Sequence, residues 1–126
     1  MGDTKVTIRH FSDLNAWQEA KNLAIEAYRV TKLFPAAEQF GLTSQIRRAA
    51  VSVSANIAEG FARRTGKDKR GSYQTALASL SELDSHSQIA CALGFLNQAD
   101  LRSLTDLISR TGRLLTGLVR SASDRT

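Results

Sequence analysis

Apolar residues return along the chain at alternating spacings of three and four, in four separate blocks. In the first, Ala16, Ala20, Leu23, Ala27, Val30 and Phe34 form one stripe, the signature of a helix packed lengthwise on others. Trp17, Ala24 and Tyr28 widen it, and Lys21, Glu26, Arg29 and Lys32 take the opposite side. The spacing predicts a helix over 13–34 with Ser12 or Asp13 as N-cap. Pro35, the only proline, disfavours helical geometry at Phe34 and closes it. Phe40 and Leu42 should anchor the turn through Gly41, and Thr43 should cap a second helix over 44–64. There Ile46, Ala50, Val53, Ile57 and Phe61 make an apolar stripe, and Ala49, Ser52, Ala55, Asn56, Glu59 and Arg63 a second face of small and polar groups.

Gly66 interrupts the second block, so 64–72 reads as a basic loop or frayed helix start. A third helix, from Lys69 or Ser72 to Leu93, carries Tyr73, Ala76, Leu77, Leu80, Leu83, Ser87, Ala90 and Cys91. Gly94 followed by Phe95 reads as a C-cap glycine with its hydrophobic contact. Asn97 should cap a fourth helix over 98–122, with Leu101, Leu104, Ile108, Thr111, Leu115 and Leu118 on one side. Residues 1–11 are expected to be a mobile arm and 123–126 a frayed tail. Four amphipathic helices, short connections and no β-rich run predict an all-α fold over 12–122. The simplest arrangement is an antiparallel up-down-up-down four-helix bundle.

Composition changes this picture little, but the distribution of charge changes it a good deal. A chain of 126 residues, 42% hydrophobic and 23% charged, fits one soluble globular domain. A single cysteine, Cys91, excludes an internal disulfide and fits a reducing compartment. No apolar run is long enough to span a membrane. MGDTKVTIRH lacks the apolar core of a signal peptide, and Val6 stands where a myristoylation motif wants Ser or Thr; the expected location is cytoplasmic. The net charge is +5, and all of it lies in one quarter of the chain. Residues 1–40 and 73–126 each carry five basic and five acidic residues, whereas 41–72 carries Arg47, Arg48, Arg63, Arg64, Lys67, Lys69 and Arg70 against Glu59 and Asp68.

Arg63, Arg64, Lys67, Lys69 and Arg70 are therefore the first candidates for nucleic-acid phosphate, because such cations release counterions when they neutralise a polyanion. A solvated loop that keeps the protein soluble is the competing reading. Arg47 and Arg48 are secondary candidates: cations near a helix N-terminus are mildly disfavoured and call for a partner. Glu82 and Asp84 are the expected internal ones. Asn56, Glu59, Glu82 and Gln88, beside apolar stripes, could join in an inter-helix hydrogen-bond network that fixes packing or subunit register. Glu59 and Arg63 also make an i,i+4 pair worth about 0.3–0.5 kcal/mol. Bundle metal sites pair Glu-x-x-His motifs on two helices; only Glu82 and His86 come near that pattern, on one helix, so no metal is expected. His10 reads as an ordinary surface histidine and Cys91 as a core cysteine. With no nucleophile–base arrangement, phosphate-cradling loop or zinc spacing, the expectation is a non-enzymatic protein without a cofactor.

The chain also resembles a family. Phe11, Leu14, Trp17, Phe34-Pro35, the run Gly41-Leu42-Thr43-Ser44-Gln45-Ile46-Arg47-Arg48-Ala49 and Asn56-Ile57-Ala58-Glu59-Gly60 are similar to the bacterial four-helix-bundle proteins encoded in intervening sequences of 23S ribosomal RNA genes. Ser79-Leu80, Glu82-Leu83 and Leu93-Gly94-Phe95-Leu96 extend the match, which runs from Phe11 to about Ser121. Val53-Ser54 stands where the family often has Ile-Pro, so a proline kink should be weaker or absent; Gly71-Ser72 blurs the start of helix three. The resemblance implies a four-helix bundle assembled as a ring-shaped homopentamer, with no established enzymatic activity. The fold is shared with the accessory protein of diversity-generating retroelements, a basic pentamer that binds a reverse transcriptase and nucleic acid, an analogy of fold and not of function. In a pentamer the small face Ala49, Ser52 and Ala55 would be the subunit interface; in a monomer it would make helix two central. RNA or DNA and a protein partner are both compatible with the sequence.

Overall fold

The computed structural model describes residues 7–123; the beginning of the expected arm and most of the expected tail lie outside them. Four α-helices make up the fold: α1 (Asn15–Thr31), α2 (Leu42–Ala62), α3 (Gly66–Ala92) and α4 (Gln98–Ser123), with single 3-10 turns at Phe11–Asp13 and Ala36–Glu38. No strand occurs among the described residues. Contacts run α1–α2, α2–α3, α3–α4 and back from α4 to α1, with α2–α3 the most extensive. Each helix thus packs on its neighbours in sequence and the ring closes, the topology of an up-down-up-down bundle.

The first stripe is buried throughout: Ala16, Ala20, Leu23, Ala27, Val30 and Phe34 all lie in the core with Ile46, Ala50, Val53, Ile57, Leu83, Leu104 and Leu115. Eight of the core positions are alanines, which lets the helix axes approach closely. Three of the buried hydroxyls donate to a carbonyl of their own preceding turn: Thr31 to Ala27 (2.7 Å), Ser87 to Leu83 (2.8 Å) and Thr111 to Leu107 (2.7 Å).

The helix ends separate local from tertiary determinants. Gly94, at φ +81°, closes α3 with the two Schellman bonds, Phe95 N–H to Ala90 carbonyl (2.9 Å) and Gly94 N–H to Cys91 carbonyl (3.0 Å). Phe95 then packs on Phe34, 5.9 Å between rings. Asn97 caps α4 by accepting from Asp100 N–H (2.8 Å). The other starts differ from the sequence reading. Neither Ser12 nor Asp13 caps α1: Asp13 belongs to the preceding 3-10 turn, where its carboxylate accepts from the N–H groups of Arg9 and His10 (3.0 and 3.1 Å). At α2 the N-cap is Gly41, not Thr43, and Glu38 reaches over to accept from Leu42 N–H (3.0 Å). Helix α1 stops at Thr31, before Pro35 forces it, and α2 runs unbroken through Val53-Ser54.

The largest correction concerns Gly66. It is the first residue of α3, not a break, because Thr65 accepts from Asp68 N–H (3.1 Å) and caps the helix there. The expected basic loop of 64–72 is therefore a tight connection of Arg63, Arg64 and Thr65, and Lys67, Lys69 and Arg70 ride on the first turns of α3.

Candidate nucleic-acid interface

Helix polarity explains how the basic end of the bundle is built. The C-termini of α2 and α4 meet the N-terminus of α3 at this end, and each C-terminus leaves unpaired carbonyls with partial negative charge. Lys69 answers the first: its ammonium donates to the carbonyls of Gly60 (3.2 Å) and Phe61 (2.8 Å) and lies 5.7 Å from the centre of the Phe61 ring. Arg70 reaches the Ala122 carbonyl of α4 at 3.5 Å. These two of the five candidate cations cap helices. Arg63 pairs with Glu59 one turn back, both side chains about half exposed, so its charge is partly met but stays open to solvent. Arg64 and Lys67 are exposed and have no hydrogen bond or ion pair to any described residue. The cations left open to solvent at this end reduce to Arg64, Lys67 and, in competition with Glu59, Arg63.

Arg47 and Arg48 lie near the other end of α2, about 25 Å away by helical rise. Arg47 does not turn to Glu82 or Asp84. Its guanidinium donates to Thr31 Oγ1 (2.8 Å) and stacks over Tyr28, 4.5 Å from the ring centre, so both partners come from α1. Arg48 is exposed and without a partner among the described residues. Together they line a groove of about 610 Å³ with Tyr28, Phe40, Thr43 and Ser44. Phe40, expected to anchor the turn, is instead 88% exposed.

The four polar residues do not share one network. Asn56 donates to the Ser52 carbonyl (2.9 Å) and hydroxyl (3.1 Å), and Ser52 bonds Ser79 of α3 (2.9 Å); this is the part that links helices. Glu59 pairs with Arg63, Glu82 lies 3.9 Å from His86, and Gln88 donates to Asp84 (3.2 Å), all within one helix. Glu59 and Gln88 each find a partner one turn away, where the helix geometry holds it in reach, whereas Glu82 stays beyond hydrogen-bond distance of His86. Helix two's small face is divided in the same way: Ala49 is in the core and Ser52 faces α3, whereas Ala55 is exposed.

Between α1 and α4, Arg29 bridges Glu26 (2.7 Å) and Asp100 (2.9 Å), and Ser103 donates to Glu26. The Arg29 hydrogen bonds hold the Glu26 carboxyl below its ordinary value against the opposing effect of burial, with Ser103 helping. Among the described residues no group of three or more His, Cys, Asp or Glu is placed to hold a metal ion, and no helix is long and apolar enough to cross a membrane.

Residues 12–117 match the family model of the 23S rRNA-intervening sequence protein. The chain belongs to that family. Among solved structures it is similar to a protein with unknown function from the S23 ribosomal protein family of Bacteroides thetaiotaomicron VPI-5482. The TM-score is 0.76 and the identity 18%, over 82% of this chain and 97% of the other; at that identity the likeness speaks for the fold. A comparison with curated proteins found no match. The family's match spans both basic ends of α2 and all four helices as far as Gly117, so the cations described above sit within the shared fold.

Proposed function

We propose that this family member is a non-enzymatic nucleic-acid or ribonucleoprotein binding module that works as a homo-oligomer, a pentamer by resemblance, in the cytoplasm. The observation that carries the reading is the inequality among the basic residues. Lys69 and Arg70 have structural work at helix C-termini, but Arg64 and Lys67 have none that the fold requires. Two cations at a tight turn, without a partner among the described residues and beside the half-engaged Arg63, offer a point contact for phosphate, and a ring would repeat that contact around its rim and strengthen the field.

A titration of the purified protein with labelled RNA and DNA across a salt series tests this. Affinity should fall steeply with salt, and an Arg64→Gln/Lys67→Gln variant should show a shallower slope, by roughly one power of salt concentration for each phosphate no longer neutralised. Lys69→Met should weaken the fold more than the binding. Absence of binding at about 50 mM salt, where such interactions are strongest, refutes the reading. A second reading, an adaptor for a protein partner, is favoured by the apolar side chains on the surface, above all Leu33 (96% exposed) and Phe40, since exposed apolar patches mark interaction sites.

A further inference from the structure

The groove between α1 and the first turns of α2 combines three features in one place. It has an exposed aromatic ring, a guanidinium held in place, and a guanidinium without a partner among the described residues. Phe40 projects from the α1–α2 connection at 88% exposure. Across the groove Arg47 is fixed by its bond to Thr31 and its stack on Tyr28, and Arg48 stands exposed beside them. Thr43 and Ser44 add hydroxyls to the wall, and no carboxylate lines it. We infer that this groove binds a nucleotide of a single-stranded nucleic acid, with the base stacked on Phe40 and the phosphate held by Arg48.

The occupant follows from the chemistry of the walls. A purely apolar partner would leave Arg48 buried and unpaired, which is costly. An identical groove from a second copy would bring cations against cations. A ligand both planar and anionic satisfies ring and guanidinium together, and the volume suits a small-molecule-sized unit. Base–aromatic stacking with Arg support is the usual chemistry of single-strand binding. A duplex hides its base faces, so the groove discriminates against it.

The inference deepens the nucleic-acid reading but uses the opposite end of α2, so the two fail separately. The full chain is titrated with a fluorescent single-stranded oligonucleotide, its duplex, and a strand of the same length lacking bases. Phe40→Ala should weaken the single strand about tenfold and leave the abasic strand unchanged, whereas Arg48→Gln should weaken both. Circular dichroism and light scattering accompany each variant. Unchanged single-strand affinity in Phe40→Ala, with the shallower salt slope still seen in Arg64→Gln/Lys67→Gln, overturns the groove and leaves the basic turn as the site. The converse pattern keeps the groove and removes the turn. Equal binding of duplex and single strand, or a Phe40→Ala protein of altered mass, also overturns it, the latter by making the groove a contact between copies. No binding by the wild-type chain disposes of both.

Discussion

Gly60 of α2 lies directly against the Tyr73 ring of α3, and their coupling provides a sharp test of the packing. A Cβ added at Gly60 would sit 2.5 Å from Tyr73 Cε1 and 2.7 Å from Cδ1, where carbon contacts are normally about 3.5–4.0 Å. Tyr73 is only 4% exposed and packed among core neighbours, although one side borders a cavity of about 480 Å³, so its ring must retreat by about 1 Å. Against this, Gly→Ala inside a helix gains about 1 kcal/mol of propensity. Overpacking a well-filled core costs about 1–3 kcal/mol. Gly60→Ala should therefore lose about 1 kcal/mol net. With Tyr73 cut to alanine the obstacle is gone, and the same change should gain about 1 kcal/mol, so the effect reverses sign. Four proteins, the parent, both single variants and the double, are unfolded in urea with helical circular dichroism as the readout. All are held in the same stabilising osmolyte, because Tyr73→Ala alone costs about 3–5 kcal/mol. With a slope of about 2 kcal/mol per molar, each kilocalorie moves the midpoint about 0.5 M. If Gly60→Ala raises the midpoint in the parent, or shifts both backgrounds alike, the close contact does not limit this interface.

Two further outcomes follow from the helix junctions. The Glu26 carboxyl is held below its ordinary value of 4.5 by Arg29; its folded pKa is the lower one, so its contribution is complete above about pH 4.5 and is lost as pH falls through the depressed value. The stability gap between the parent and Glu26→Gln should thus be flat near neutrality and shrink in acid; a gap constant from about pH 7 to pH 3 argues against the pairing. Gly94→Ala meets no atom within 4 Å, so its cost is the positive φ alone, about 1 kcal/mol, read from the urea midpoint; an unmoved midpoint would mean that the left-handed cap is not needed.

Much of the fold was legible in the chain because it depends on neighbours one turn apart. Helical periodicity identified the buried stripe of α1 and the core positions of α2, α3 and α4, and the Gly94 and Asn97 caps rest on bonds within a few residues. The same locality misled at Gly66: a glycine reads as a break, and only the Thr65 hydroxyl on Asp68 N–H shows that it starts α3. The candidate site was legible as a concentration of charge and no further. Which cations are free was decided by the ends of other helices: the α2 carbonyls take Lys69, the α4 carbonyl draws Arg70, and α1 claims Arg47 through Thr31 and Tyr28. Phe40 reads as an anchor of the turn by its place beside Gly41 and Leu42, but its position at the junction of two helix ends leaves it in solvent. Periodicity along one helix sets what that helix buries, whereas a side chain's partner across the bundle is set by antiparallel packing, which brings residues far apart in sequence within bonding distance.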